Sequence, residues 1–319
     1  MSALRVGVVG AGIMGANHAR VARTTPGLEL VAVVDADIDR ARSAAGGVAL
    51  ALSALSELPP LDLAVVAVPT LHHVAVADHL VERGVPLLVE KPLAATAAEA
   101  RALTGRAAEA GVLLGVGHVE RFNPAVIELG RVIDEPLHLR ASRIGPYSAR
   151  IGDGVIHDLM IHDLDIVMSL VGDVEVVAVS GVARHHHGGT EDLAVANVEF
   201  ANGVTATFET SRLGQEKIRV IEVTQADSVI VADLVRQDLL VRQMSRSEYL
   251  SDDGVRYRQS SVIEIPFLET RGEPLMLELR HMADCVQLSQ PPLVGGAEGT
   301  RAIELADRIA AEVRRVRRP

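Results

Sequence analysis

The sequence predicts an α/β protein in two parts, a doubly wound parallel sheet followed by an α+β domain on an antiparallel sheet. Three observations carry this. Up to about residue 117, short apolar runs alternate with helical patterns; after about residue 120, strand-like runs follow one another without helices between them; and the chain closes on two amphipathic helices. Alternation means parallel strands joined by crossover helices. Consecutive strands joined by turns mean antiparallel pairing.

Taken in order, the runs at 4–9, 28–34, 61–68, 87–89 and 112–116 read as strands buried on both faces, and 48–50 adds a short one. Between them, 13–23, 37–45, 72–83 and 96–110 have helical spacing or composition. Past the change of pattern come a helix at 124–133, a strand at 137–144 and a helix at about 155–170. Strands follow at 174–183, 193–200, 204–210, 218–224, 228–234 and 238–242, with Ala201-Asn202-Gly203 as a tight-turn signal between two of them. Leu275, Leu279, Met282 and Val286 mark the apolar stripe of one closing helix, and Ile303, Ala306, Ile309 and Val313 that of the other. The domains are therefore 1–120 and 121–319, with no internal repeat and no low-complexity linker.

The 319 residues fit about two domains at the usual ~100–200 residues each. With 48% hydrophobic but only 2% aromatic residues and no Trp, both cores must be filled by Val, Leu, Ile and Ala. The 42 acidic against 31 basic residues give a net charge of −11, which argues against a broad nucleic-acid surface. An anionic ligand then needs a local positive site. The single Cys285 excludes an intrachain disulfide framework and fits a reducing cytoplasm. Nothing at the N-terminus resembles a signal peptide, and no charge-free apolar run reaches the ~18 residues of a membrane span. The expectation is a cytoplasmic protein with neither nucleic-acid nor membrane partners.

Gly10, Gly12 and Gly15 stand in GxGxxG spacing between strand 1 and helix 1, with Ile13 and Met14 between the last two. The first glycine permits the tight turn, the second lets the backbone approach a pyrophosphate, and the third allows close helix–strand packing. The pyrophosphate then meets the positive end of the helix dipole. Alone the motif is weak. Here a strand precedes it, a helix follows it, and Asp35 ends strand 2, twenty residues beyond Gly15, where a carboxylate takes the adenosine ribose. The setting predicts a Rossmann domain. Asp35 would repel a 2′-phosphate, which favours NAD over NADP; Arg40 and Arg42 lie close by, Arg40 being grouped with the cofactor residues, and both otherwise read as exposed helix charge.

Glu90-Lys91-Pro92 follows the strand at 87–89, within "VAVPTLHHVAVADHLVERGVPLLVEKPLA". Together with the glycine loop, this closely resembles the glucose–fructose oxidoreductase, inositol dehydrogenase and MocA family. The resemblance continues through "GDGVIHDLMIHDLDIV", "EDLAVANVEFANG" and "LELRHMADCVQLSQPPLVGGAEGTRAIELA", nearly the whole chain. It implies a Rossmann domain, a C-terminal domain on a large open sheet, and NAD(P)-linked oxidation or reduction of a sugar or polyol. Within the family, "GHVERFNPAV", "ASRIGPYSARIGDGVIHDLMIHDLDI" and "KIRVIEVTQADSVIVADLVRQDLLV" are most similar to the UDP-N-acetylglucosamine 3-dehydrogenase branch, which oxidises the sugar 3-hydroxyl with NAD.

Hydride transfer from an alcohol needs a group that accepts the hydroxyl proton, commonly Lys or His. Lys91 follows a buried strand at the carboxyl edge of the sheet, where ligands bind in open α/β folds, and Pro92 holds it out of the helical region. An isolated Lys there would be a surface charge; the resemblance makes it a catalytic or substrate-orienting residue. Asp158 and His162 are four apart and share one helix face, so the imidazole can take a proton while the carboxylate steadies its charge. Solvent-facing polar groups are the plain alternative; by resemblance, the pair matches the family's substrate-side aspartate and histidine. The base role goes to His162 and the polarising role to Lys91, although sequence leaves that choice open. Asp165 would support His162, while His157 and Asp163 read as surface or interface groups.

By resemblance, His73 matches the histidine that follows the family's Thr-Pro segment, replaced here by Val68-Pro69, so Pro69, Thr70, His73, Glu90 and Lys91 join the cofactor set. His118, Arg121, Asn123, Arg143 and Arg150 fall in segments resembling the nucleotide-sugar branch, and guanidinium forks suit a diphosphate. Arg121 could instead pair with Glu120 or Glu128. His185–His187 alternate faces if extended and read as a solvated loop, and His72, His73 and His79 lack accompanying metal ligands, so no metal is expected. The leading expectation is NAD-dependent 3-oxidation of a nucleotide-linked amino sugar. Its rivals are a dehydrogenase or ketoreductase of a free polyol or another activated sugar, and a catalytically silent dinucleotide sensor. A homodimer or homotetramer that covers the sheet is expected, since open sheets need covering.

Overall fold

The computed structural model describes residues 3–147, 152–187, 189–251 and 254–316. The chain divides into two compact units, Met1–Phe122 with Gly272–Glu304, and Asn123–Arg271 with Leu305–Pro319.

In the first unit, β1 (Leu4–Val9), α1 (Ile13–Thr24), β2 (Leu28–Val34), α2 (Ile38–Ala45), β3 (Leu50–Leu52), β4 (Leu63–Val66), α3 (His73–Glu82), β5 (Leu87–Glu90), α4 (Ala97–Glu109) and β6 (Leu114–Gly117) alternate along the chain. The strands form one six-stranded sheet in the order β3-β2-β1-β4-β5-β6, parallel throughout. β4, β5 and β6 are buried at every position, which is why they read as unbroken apolar runs. Side chains that satisfy orphan amides start two of the helices: Asp37 accepts from Asp39 and Arg40, and Thr96 accepts from Glu99. The strand order reverses between β1 and β4, the position at which doubly wound sheets bind ligands beyond the strand carboxyl ends.

In the second unit, α5 (Pro124–Val132) leads into β7 (His138–Ile144), a π-helical turn at Ile156–Met160, α6 (Ile161–Val171), and then β8 (Val176–Arg184), β9 (Leu193–Phe200), β10 (Thr205–Ser211), β11 (Ile218–Thr224), β12 (Ser228–Asp233), β13 (Asp238–Ser251) and β14 (Gly254–Glu264). The eight strands run in the order β14-β13-β12-β11-β7-β10-β9-β8. All pairs are antiparallel except β7 with β10. Alternate residues of the sheet, among them Leu139, Ala196, Phe208 and Ile221, pack in one core with Leu129, Met160, Leu164 and Ile309 of the helices. Val177, Val182 and Ile218 remain exposed.

Two features differ from the sequence expectation. The helix expected over about 155–170 begins instead as a π turn, because the Ile156–Met160 segment closes wider rings before α6 takes over. The sequence predicts a last strand over 238–242, yet β13 reaches Ser251 and β14 follows. That stretch lacks apolar alternation, and its ladder is a backbone pairing that polar sequence does not announce.

Two helices close the chain, α7 (Pro274–Leu288) and α8 (Gly296–Val316). Where the sequence reading gives 121–319 to one second domain, Gly272–Glu304 clusters with the first unit. The reason is packing: Leu275, Leu279 and Met282 of α7 enter the same core as Val6, Val8, Leu63 and Leu88. Gly115 of β6 makes room for Met282, since a Cβ there would lie 2.4 Å from its sulfur.

Candidate active site

The first unit carries a dinucleotide cradle. Gly10 has φ +94°, and a Cβ on it would lie 2.5 Å from the Ala67 carbonyl oxygen. A Cβ on Gly15 would lie 1.8 Å from the Gly10 oxygen, so only glycine lets α1 approach the turn. Nothing lies within 4 Å of the Cβ position of Gly12, and no side chain caps α1. The loop thus presents open backbone at a helix N-terminus, which suits a pyrophosphate. Ile13 is 72% exposed at the same edge, beside half-buried Met14. Asp35 binds the loop itself: one carboxylate oxygen accepts the Ala11 amide at 2.6 Å and the other the Asp37 amide at 2.8 Å. Lone pairs remain on both oxygens for ribose hydroxyls. Arg40 is exposed and pairs with Asp37 at 3.3 Å, as ordinary helix charge does.

Behind Lys91 lies a buried set of titratable groups. Glu90, at the end of β5, is bonded to His18 Nε2 of α1 at 2.8 Å, and its other oxygen accepts the Lys91 amide at 3.2 Å. Glu278 of α7 is fully buried, neither of its oxygens has a hydrogen-bond partner among the described residues, and burial followed by the charge of Glu90 pushes its carboxyl well above the usual range. Sequence reading missed both His18 and Glu278; each sits within an apolar helix stripe that gave no sign of a polar contact. Lys91 itself is half-buried. His73, grouped by sequence with the cofactor, is buried and clamps the backbone. Its ring nitrogens lie 2.9 Å from the Pro92 and Val68 carbonyls, and burial lowers its pKa against the pull of both carbonyls. Pro69 is exposed, and Thr70 opens the short 3₁₀ turn that precedes His73. His118 is buried and Arg121 half-buried.

In the second unit, Asp158 sits in the π turn and His162 in the first turn of α6, both half-buried. Asp165 is buried one turn further. Asp163 is not a surface group: its carboxylate takes two guanidinium nitrogens of Arg143, Nε at 2.9 Å and Nη2 at 2.8 Å, in a buried pair. Arg143, expected to hold a diphosphate, has its charge balanced by Asp163 inside the protein. Asn123 is likewise bonded within the second unit. Its carbonyl oxygen caps α5 through the Ala125 amide at 3.1 Å, and its amide donates to the Leu234 carbonyl at 2.9 Å. His157 pairs with Asp307 at 2.9 Å. Arg150 lies outside the described residues.

Asp158 lines a cleft of about 160 Å³ together with Arg143, Arg212, Lys217 and Arg219. Arg212 is buried, donates to the Asp153 carbonyl and lies 3.8 Å from Asp192. Burial opposes the charge of Asp192, but the His187 and His186 amides and Arg212 outweigh it and hold that carboxyl below its ordinary value. Lys217 and Arg219 fall in a segment similar to the nucleotide-sugar branch without standing out there, and Arg212 lies outside every such segment. A signal was present: Lys91 and Lys217 are the only two lysines in a chain that otherwise uses arginine.

Residues 4–118 match the GFO/IDH/MocA oxidoreductase family with its NAD-binding Rossmann fold, and residues 128–226 match the GFO/IDH/MocA C-terminal domain. The chain belongs to the GFO/IDH/MocA family. It is an oxidoreductase, and its cofactor is NAD. Among relatives in this family, UDP-N-acetylglucosamine 3-dehydrogenase of Acidithiobacillus ferrooxidans is 29% identical and covers 97% of each chain. The scyllo-inositol 2-dehydrogenase (NAD(+)) of Bacillus subtilis is also 29% identical, over 95% of this chain and 92% of its own. A solved structure of the Acidithiobacillus enzyme superposes with a TM-score of 0.86 at 28% identity, covering both chains fully. Among the described residues no helix is long and apolar enough to cross a membrane.

Proposed function

We propose that the chain oxidises a secondary hydroxyl of a nucleotide-linked sugar to a ketone with NAD, the 3-hydroxyl of a UDP-N-acetylglucosamine-like substrate. What supports this is the likeness over 97% of each chain to the Acidithiobacillus UDP-N-acetylglucosamine 3-dehydrogenase, together with a cleft at Asp158 whose lining includes Arg212, Lys217 and Arg219.

NAD, when bound, would supply the hydride acceptor for the carbinol carbon. The glycine loop holds the pyrophosphate and Asp35 the ribose hydroxyls. His162 takes the hydroxyl proton on its imidazole, and Asp158 steadies the imidazolium that forms. Lys91 polarises the reacting oxygen through its ammonium. In the reverse direction His162 returns the proton to the ketone oxygen. The enzyme works in the cytoplasm as a homodimer or homotetramer.

The test is NADH formation on UDP-N-acetylglucosamine, free N-acetylglucosamine and inositol under one set of conditions. The nucleotide sugar is expected to be turned over with the highest kcat/KM. Efficient oxidation of inositol with none of UDP-N-acetylglucosamine, as the likeness to the Bacillus enzyme would have it, overturns the reading.

A further inference from the structure

Asp158 and His162 stand on one continuous helical stretch of the second unit, whose first turn, Ile156–Met160, is π-helical before α6 begins. Such turns are rare and short, and they are common at functional sites. The phase in which Asp158 leaves this one depends on how its entry, residues 153–156, is held. Val155, at the start of the turn, has no capping side chain of its own. Two other segments clamp the entry instead. From the loop before β9, the Glu191 carbonyl accepts the Val155 amide at 3.1 Å, and Glu191 Oε1 accepts the Ile156 amide at 3.4 Å. From the end of β10, the Arg212 guanidinium donates through Nη2 to the Asp153 carbonyl. The Asp158 amide then closes on the Gly154 carbonyl at 3.0 Å.

Gly154 makes this clamp possible. A Cβ there would lie 2.0 Å from Glu191 Oε1 and 2.4 Å from Oε2, so any side chain would expel the carboxylate. The Gly154 backbone is not left-handed, so the close approach of Glu191, and not φ, accounts for the glycine. Glu191 is anchored in turn through its neighbour. Asp192 accepts the His186 and His187 amides at 2.6 and 2.7 Å, and its own amide donates to the Arg184 carbonyl at 2.8 Å. The Asp192 carbonyl accepts the Arg212 amide at 2.9 Å, and its carboxylate lies 3.8 Å from Arg212 Nε. Asp192 therefore ties the two arms of the clamp to each other. A carboxylate at the first turn also answers the positive end of the helix dipole.

We infer that Glu191 is a positioning residue for the proton-transfer pair: by holding the Val155 and Ile156 amides it fixes the rotation of the π turn, and with it the direction in which Asp158 and His162 are presented. Arg212 completes the clamp at Asp153. This rests on the roles given to Asp158 and His162 and is independent of which sugar is oxidised. Placement matters this much because a shift of about 1 Å in a reacting group costs roughly a hundredfold in rate.

The test is steady-state NADH formation by the NAD-loaded enzyme on UDP-N-acetylglucosamine and on inositol, so that the comparison does not hang on the substrate. Glu191→Ala should lower kcat by about ten- to a hundredfold, with KM and NAD affinity little changed. Glu191→Gln, whose amide oxygen can still accept the Ile156 amide, should keep most of the turnover. Gly154→Ala leaves the carboxylate in the chain but displaces it, and should repeat the loss in kcat; it serves as the second variant if Glu191→Ala does not fold. Because Glu191 acts through the pair, Glu191→Ala should cost little further in a His162→Ala background, as coupled residues do. Undiminished kcat in Glu191→Ala and Gly154→Ala, an equal loss in Glu191→Gln, or a full further loss beside His162→Ala overturns the inference and leaves the roles of Asp158 and His162 standing. Near-normal turnover in His162→Ala itself overturns those roles and the inference with them.

Discussion

Arg143 and Asp163 form a buried bidentate ion pair, with side chains 2% and 4% exposed, that joins β7 to α6. Removing one partner of such a pair strands the other charge in a low-dielectric interior, which costs about 3–5 kcal/mol. Asp163→Ala should therefore lower the unfolding free energy by that amount, read as a lower urea midpoint, and Arg143→Ala likewise. The alternative, Arg143 as a substrate ligand, predicts a raised KM on a fold of unchanged stability. Urea titration of both variants beside their KM values separates the two.

Glu278 gives the unit carrying the cofactor loop a pH dependence. Its folded carboxyl titrates well above the ordinary 4.5 because of burial and the Glu90 charge. The folded state then holds a proton that the unfolded chain has released. Stability is full below the ordinary value and is lost as pH rises from there toward the raised folded value. Glu278→Gln has no such proton to lose. Its stability relative to the unmodified protein should improve steadily with pH across that window, in melting temperatures measured from acid to alkaline pH. A constant difference at every pH would show that Glu278 is charged when folded.

What was legible in the sequence follows what has a periodic or local signature. The parallel sheet announced itself because β4, β5 and β6 are apolar at every residue, and the glycine loop because Gly10 and Gly15 each meet backbone where a Cβ would stand. Asp158 and His162 share a short segment, so spacing found them. Long-range pairing left no such trace. That Asn123 binds the Leu234 carbonyl, that Asp163 takes Arg143, and that His73 spans Val68 and Pro92 are facts of tertiary contact. Each engages, inside the fold, a residue that sequence alone assigned to a ligand or to the surface. Lys217 was visible only as a rare residue type.

Asp35 should set cofactor choice and loop geometry together. Its oxygens accept the Ala11 and Asp37 amides, and each keeps a lone pair that a ribose hydroxyl could use. Asp35→Ser removes the charge that repels a 2′-phosphate along with charge-assisted bonds worth about 1.5–3 kcal/mol each. NAD affinity should fall by about tenfold or more, while NADP changes less and the gap between them narrows. Fluorescence titration of both nucleotides gives the answer. Equal affinity for NADP in the unmodified protein would remove Asp35 from this role.

The exposed side of the eight-stranded sheet should be covered by a second copy of the chain. Val177, Val182, Ile218 and Ile263 lie exposed on the strands, and open sheets are seldom left bare. Sedimentation at micromolar concentration should give a dimer or tetramer, and Val182→Arg should shift it toward monomer. A monomer alone in the unmodified protein contradicts the prediction.

Lys91 and His162 should each matter for turnover and little for cofactor affinity. The backbone at position 91 is held from several sides. Glu90 accepts its amide and is itself fixed by His18, while His73 meets the Pro92 carbonyl. Lys91→Ala therefore removes an ammonium and leaves the turn in place. His162 lies on α6, in the other unit from the glycine loop, so His162→Ala leaves the pyrophosphate cradle intact. Each variant should lower kcat by about ten- to ten-thousand-fold, the range of general acid–base contributions, with the NAD dissociation constant unchanged. The two should differ in their pH profiles. If the imidazole is the proton acceptor, the acidic limb of kcat/KM disappears in His162→Ala and persists in Lys91→Ala. Loss of that limb in Lys91→Ala alone would exchange the two roles, and near-normal turnover in both variants would remove them from the chemistry.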